Sequence, residues 1–131
     1  MKINTPINDR RIMFADSDVL ISKTNLKGAI TYVNRPFVIV SGFEEAELLG
    51  KNHNVVRHPD MPTHVFEELW TCMKRGSPWQ GIIKNRAKNG DYYWVNAHVA
   101  PIKEYGQVIE YMSVRYAPSV DEVNNAERTF H

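Results

Sequence analysis

Residues 78 to 103 read Pro78-Trp79-Gln80-Gly81-Ile82-Ile83-Lys84-Asn85-Arg86-Ala87-Lys88-Asn89-Gly90-Asp91-Tyr92-Tyr93-Trp94-Val95-Asn96-Ala97-His98-Val99-Ala100-Pro101-Ile102-Lys103. Two runs of β-favouring residues flank Lys88-Asn89-Gly90-Asp91, and an Asn-Gly pair between such runs signals a hairpin. The first strand covers Pro78 to Ala87 and the second Tyr92 to Lys103. Alternation assigns the faces, because successive side chains of a strand point to opposite sides. Trp79, Gly81, Ile83 and Asn85 share one face, and Gln80, Lys84 and Arg86 share the other with Ile82 as the exception, so the odd face is the core face. On the next strand Tyr93, Val95, Ala97 and Val99 face one way. Tyr92, Trp94, Asn96 and His98 face the other and form a candidate interaction surface.

Working outward, Tyr105-Gly106 turns the chain into a third strand, Gln107 to Tyr116. Upstream, Val19 to Thr24 and Ala29 to Val33 are joined by the turn Asn25-Leu26-Lys27-Gly28 into another hairpin. Short helices lie between the hairpins. Asn34 is placed as an N-cap ahead of Pro36, and the helix Arg35 to Val40 stops at Ser41-Gly42. Glu44 to Leu49 forms another, closed by Gly50, and His53 to Val56 adds a turn before Pro59. Counted from Pro62, the apolar residues Val65, Phe66, Leu69, Trp70 and Met73 fall at +3, +4, +7, +8 and +11, one stripe of a helix ending at Lys74. Two strands, several helices and three strands predict an α+β domain, with a five-stranded antiparallel sheet and short helices packed on one face. Residues 1–18 read as an N-terminal cap or linker and 19–117 as the domain. Residues 118–131 are polar and helix-competent with little to bury, and read as a C-terminal connector to a further segment.

The 131 residues suit one domain, and 43% hydrophobic with 24% charged residues is an ordinary globular composition. A formal charge of +1 gives no basic footprint for nucleic acid. The single cysteine, Cys72, excludes an internal disulfide and a cysteine-based zinc site. No apolar run is long enough to span a membrane, so no direct membrane insertion is expected of these residues. The five histidines do not fall at metal-ligand spacing, and nucleophile-elbow, P-loop and dinucleotide-fold glycine motifs are missing. The expectation is a binding module and not an enzyme.

The densest polar cluster is Asn52-His53-Asn54-Val55-Val56-Arg57-His58-Pro59-Asp60-Met61-Pro62. Arg57 offers a donor fork suited to phosphate or carboxylate, and Asp60 can cap the following helix. The alternative is that Arg57 and Asp60 pair and staple the loop. Asn85, on the apolar face, needs a hydrogen-bond partner. The imide edge of a flat heterocycle satisfies it, and so does backbone or water. In the last strand Tyr111, Ser113 and Arg115 share a face opposite Met112, Val114 and Tyr116, and periodicity alone buries the second set. An inward Arg115 is a buried cation that demands a partner.

These elements carry Ile30-Thr31-Tyr32-Val33-Asn34, Ser41-Gly42-Phe43, Glu47-Leu48-Leu49-Gly50, Asn89-Gly90-Asp91-Tyr92-Tyr93-Trp94-Val95 and Pro101-Ile102, and the whole resembles a PAS sensor domain over about residues 19 to 117. Val56-Arg57-His58-Pro59-Asp60-Met61-Pro62, Gly76-Ser77-Pro78-Trp79-Gln80-Gly81, Lys84-Asn85-Arg86-Ala87-Lys88-Asn89-Gly90-Asp91 and Tyr111-Met112-Ser113-Val114-Arg115 look more narrowly like the FAD-binding input domains of bacterial aerotaxis receptors. The resemblance implies a non-covalent FAD that senses redox state for oxygen-directed motility. It implies a downstream signalling domain in the same receptor, a homodimer in the full-length protein, and a cytoplasmic location on a membrane-anchored, inner-membrane receptor. It turns Arg115 inward, where a cation favours negative charge on the ring. It sets His53 where the light-sensing branch carries a reactive cysteine, so no light-driven thiol adduct is expected. The candidate cofactor-binding set is Asn34, His53, Arg57, His58, Asp60, Trp70, Trp79, Asn85 and Arg115. Asn85 and Arg115 bond the ring, Trp70 and Trp79 wall it, and Arg57, His58 and Asp60 hold the ribityl or phosphate part or shape its cleft. The alternatives are a haem-binding PAS gas sensor with His64 as axial ligand, and a cofactor-free PAS dimerisation or relay module.

Overall fold

The structure is a computed structural model and describes residues 5–130; Met1 to Asn4 of the expected N-terminal cap and His131 of the expected connector lie outside them. Five strands, β1 (Leu20–Thr24), β2 (Ile30–Val33), β3 (Trp79–Arg86), β4 (Tyr92–Glu104) and β5 (Gln107–Tyr116), form one antiparallel sheet in the order β2-β1-β5-β4-β3. The two hairpins are thus joined by β5 meeting β1, a long-range pairing. Helices α1 (Arg35–Ser41), α2 (Glu45–Leu48) and α3 (Thr63–Lys74), with a 3₁₀ turn at His53–Val56, connect β2 to β3. Their apolar residues Phe37, Leu48, Val56 and Met73 are buried in one cluster with Leu20, Tyr93 and Val95 of the sheet.

Asn34 decides how β2 hands over to α1. Its side-chain oxygen accepts from the backbone N–H of Phe37 (3.2 Å), an N-cap contact, and from that of Ile21 (3.0 Å). Its amide donates to the Val19 carbonyl at 2.8 Å. The side chain therefore ties α1 to β1 and is consumed by the backbone. Gly42 closes α1 with φ 73°, a left-handed C-cap conformation that favours glycine. Gly81 serves a different need. A Cβ there would meet the Trp79 indole at 2.4 Å, so the missing side chain lets the ring lie along its own strand.

Register fixes what reaches the inner face. Leu20 pairs with Arg115, Ser22 with Ser113 and Thr24 with Tyr111 across β1–β5, while Ala97 and Val99 of β4 pair with Arg115 and Ser113. The set Tyr111, Ser113, Arg115 is therefore inward, and simple periodicity is corrected: Ser113 and Arg115 are buried, whereas Tyr116 of the apolar set is exposed. Small neighbours at Ser22 and Ala97 leave the room that bulkier residues would have filled.

The tail is helical as its composition allows, but it buries more than the sequence predicts. Residues Val120–Phe130 form α4, with Val123 and Ala126 buried. Ser119 and Glu122 make a reciprocal cap, the Glu122 N–H donating to Ser119 Oγ (3.1 Å) and the Ser119 N–H to Glu122 Oε1 (2.8 Å). Asn96, on the outer face of β4, donates to Glu122 Oε2 at 3.3 Å, so α4 covers the face opposite α1–α3. Spacing of Val120, Val123, Ala126 and Phe130 by three or four is the amphipathic signal that low overall hydrophobicity masks. The N-terminal segment runs beside the start of β4, with Arg10 and Ile12 bonded to the Tyr92 backbone.

Replacing Asn34 with Ala should lower the stability of the ligand-free protein by about 1–2 kcal/mol, the worth of a strong N-cap. Urea unfolding checks this, and an unchanged midpoint would show that the β1–α1 clamp contributes nothing.

Candidate functional site

A cavity lies between the inner face of the sheet and the 3₁₀ turn and α3. Ser22 and Thr24 of β1, Ile83 and Asn85 of β3, Ala97 and Val99 of β4, and Tyr111, Ser113 and Arg115 of β5 form its floor. His53, Arg57, Phe66, Leu69, Trp70 and Met73 form its roof. Arg57, Phe66 and Trp70 also line an outer groove bordered by Lys27, Thr63, Thr71 and Lys74, so the two spaces share a wall.

The polar centre of the cavity is Arg115, 4% exposed. Among the described residues no carboxylate lies within 4.0 Å of it. Its guanidinium donates to Ser22 Oγ (3.1 Å) and to His53 Nε2 (2.5 Å), and lies 5.1 Å from the Phe37 ring centroid. Ser22 Oγ is itself 3.0 Å from His53 Nε2. A nitrogen that accepts from arginine carries no proton, so His53 is neutral with its proton on Nδ1. Although His53 as a whole is half-buried, this nitrogen is turned inward. Burial and then the charge of Arg115 push its pKa down to about 3. Burial likewise lowers Arg115 to about 10 and raises the Tyr93 hydroxyl to about 12. The result is a buried positive charge whose partners among the described residues are neutral groups and a ring face. That is costly unless the cavity receives a group rich in acceptors or negative charge.

The loop after the 3₁₀ turn pairs with the edge strand β3 through an antiparallel bridge between Arg57 and Asn85. Alternation then sends neighbouring side chains to different sides. Arg57 turns to the cavity wall, its guanidinium carbon 3.7 Å from the Phe66 ring centroid. His58, 2% exposed, turns away, and its Nδ1 accepts from the Asp60 N–H at 3.0 Å while its ring meets Tyr92 edge-on. Burial, with Lys84 next in size, lowers the His58 pKa despite the adjacent Asp60. Asp60 accepts from Lys84 Nζ at 3.1 Å.

Of the nine sequence-derived candidates, the structure brings His53, Arg57, Trp70, Asn85 and Arg115 to the cavity. Four lie elsewhere. Asn34 is spent on backbone bonds, and His58 and Asp60 brace the loop against β3. Trp79 lies over Gly81 and donates from Nε1 to Glu68 Oε1 (3.2 Å) instead of walling the cavity. His64, the axial ligand of the haem alternative, is exposed on α3 and does not line the cavity. Ser22 and Ser113 are lining residues that the sequence did not single out as ligands. A polar residue on each of two strands that pair at that position was the available signal, but it emerges only once β1 is known to pair with β5.

Fold and site are those of a sensor domain, and the chain belongs to the PAS fold family, whose model matches residues 30–115. Within it, the chain is 45% identical over 124 residues to the aerotaxis receptor of Escherichia coli (strain K12), a match covering 95% of this chain and 23% of the receptor. The nitrogen fixation regulatory protein of Klebsiella pneumoniae is 28% identical over 109 residues, covering 82% of this chain and 22% of that protein. The chain thus spans less than a quarter of these curated relatives. A light-oxygen-voltage domain solved with a flavin analogue superposes with a TM-score of 0.76 at 20% identity, covering 84% of each chain. The dark structure of the blue-light photoreceptor Aureochrome1 LOV gives 0.73 at 19% identity, covering 84% of this chain and 86% of that one. Those two likenesses concern the fold.

His53 has a sign that can be tested. Its folded pKa of about 3 lies below the ordinary 6.5, so between those values the unfolded chain binds more protons. Stability is complete above pH 6.5 and falls as pH drops towards 3, by at most about 1.4 kcal/mol per pH unit for one group. Between pH 6.5 and 5, where carboxylates contribute little, His53→Gln should flatten the fall in unfolding midpoint. His58 acts in the same direction, so some slope should remain. A slope equal to that of the unaltered protein would mean His53 is not held neutral.

Proposed function

We propose that this chain is the FAD-binding redox sensor of an aerotaxis-type receptor, a module that binds and reports without turnover. One observation carries the reading: Arg115, a buried guanidinium with no carboxylate beside it among the described residues, faces a cavity that Asn85 also lines. A flavin fits that donor set, because its pyrimidine edge offers several acceptors and an imide N–H, while its benzenoid part is apolar like Ile83, Ala97, Val99 and Leu69. When bound, a flavin supplies reversible electron uptake with a change of charge and protonation on the ring.

The chain's own residues then divide the work. Arg115 donates to the acceptor edge and favours the form with more negative charge, since an opposite charge nearby stabilises it. His53 and Ser22 hold the guanidinium in place. The Asn85 amide serves as acceptor and donor at the imide. Arg57, stacked on Phe66 where cavity and outer groove meet, suits the polar chain leaving the ring, and Lys27 and Lys74 beyond it suit a diphosphate, which favours FAD over a shorter flavin. The likeness to the aerotaxis receptor supports oxygen- or energy-dependent motility as the output, passed to a downstream domain of the same receptor. No helix among the described residues is long and apolar enough to cross a membrane, so a membrane anchor and a homodimer belong to the longer receptor in this reading.

Purified protein reconstituted with FAD should show two broad absorption bands, one near-ultraviolet and one blue. A colourless product after excess FAD would favour a cofactor-free relay, and a sharp Soret band would favour haem. Asn85→Ala and Arg57→Ala should each raise the dissociation constant for FAD about tenfold, as loss of a charge-assisted or fully buried hydrogen bond does. Unchanged affinity in both would overturn the site assignment. Arg115→Met should move the flavin midpoint potential negative, measured by redox titration, and an unmoved or more positive potential would count against the cation's role.

A further inference from the structure

Ser113 sits at the middle of the cavity floor, 7% exposed, and its Oγ is buried with no hydrogen-bond partner. A serine hydroxyl in a sheet ordinarily finds a carbonyl or a neighbouring side chain, and a buried one that does not is an exception needing a cause. The neighbours explain why none is on offer. Its cross-strand partner on β1 is Ser22, whose oxygen already accepts from Arg115 and lies within bonding distance of His53 Nε2. Its partner on β4 is Val99, which has no polar group to give. Arg115, two residues along β5 on the same face, is directed to Ser22 and His53. Ser22 and Arg115 are engaged with each other and with His53, Val99 is apolar, and Ser113 lines the cavity.

We propose that the Ser113 hydroxyl is a further ligand-binding group, donating a hydrogen bond to an acceptor on the bound flavin beside the edge met by Arg115. The proposal rests on the flavin reading of the cavity. Together the two residues make β5 a donor strand: one neutral and one charged donor, separated by one strand repeat, present to a ligand edge carrying more than one acceptor. A ligand with a single acceptor, or an apolar one, would leave the hydroxyl buried and unbonded.

The test uses a sign that reverses between two states of the same protein. In the ligand-free protein Ser113→Ala removes an unsatisfied buried hydroxyl, so the thermal midpoint should stay equal or rise. With FAD bound, the same variant lacks a contact, so its dissociation constant for FAD should rise about five- to tenfold, the worth of one buried hydrogen bond. The flavin carbonyl stretch in the infrared difference spectrum should shift as well. A lowered midpoint in the ligand-free variant would show that the hydroxyl has a protein partner and would overturn the proposal. So would FAD binding with unchanged affinity and an unshifted carbonyl band. If the unaltered protein takes up no FAD at all, the flavin reading itself fails and this contact falls with it, a result distinct from tight binding by both proteins.

Discussion

The insertion of β5 between β1 and β4 is the constraint on which the rest of the molecule depends. It joins two hairpins that are each local in sequence, and by its register it carries Arg115 inward over Leu20 and Ala97. A guanidinium enclosed in this way loses its hydration, and the described residues give it a serine oxygen, a neutral imidazole and a ring face in return. That shortfall is tolerable in a protein whose stability is spread over a large apolar cluster, and it is useful if the missing interaction is to be provided by a ligand.

The edge strand β3 shows how one loop serves two purposes. An unpaired strand edge invites association with another chain, and the bridge between Arg57 and Asn85 covers part of it. The same pairing splits the loop's side chains. Arg57 closes the cavity beside Phe66, while His58 and Asp60 lock onto Tyr92 and Lys84 on the other side. The polar cluster that looks like one site in the sequence thus divides, with His53 and Arg57 at the cavity and His58 and Asp60 as a brace.

The opposite face of the sheet is covered as well. Helix α4 lies against it through Val123, Ala126 and the Asn96–Glu122 bond, and the N-terminal segment is bonded along Tyr92. Strands β4 and β5 therefore connect the two layers directly, with Ala97 on the cavity side and Asn96 on the helix side of adjacent positions. In the sensor reading, a change of charge beside Arg115 acts on strands whose reverse face holds the helix leading to the C-terminus.

Local signals determined much of this protein by themselves. Asn-Gly between alternating runs dictated the β3–β4 hairpin, and the stripe from Val65 to Met73 dictated α3. The parity of Trp79 to Asn85 placed Asn85 inward, because alternation along a strand needs no knowledge of its neighbours. What alternation left undecided was which face of β5 is inner, since Tyr111-Ser113-Arg115 is the more polar set and only the small partners Ser22 and Ala97 make room for it. The tertiary structure alone decided that Asn34 would be consumed by Ile21, Phe37 and Val19, that Trp79 would lie over Gly81, and that the hydroxyl of Ser113 would be left without a partner. Each outcome depends on groups distant in the chain brought together by strand pairing, and a side chain's hydrogen-bonding state is a property of that meeting and not of its own sequence.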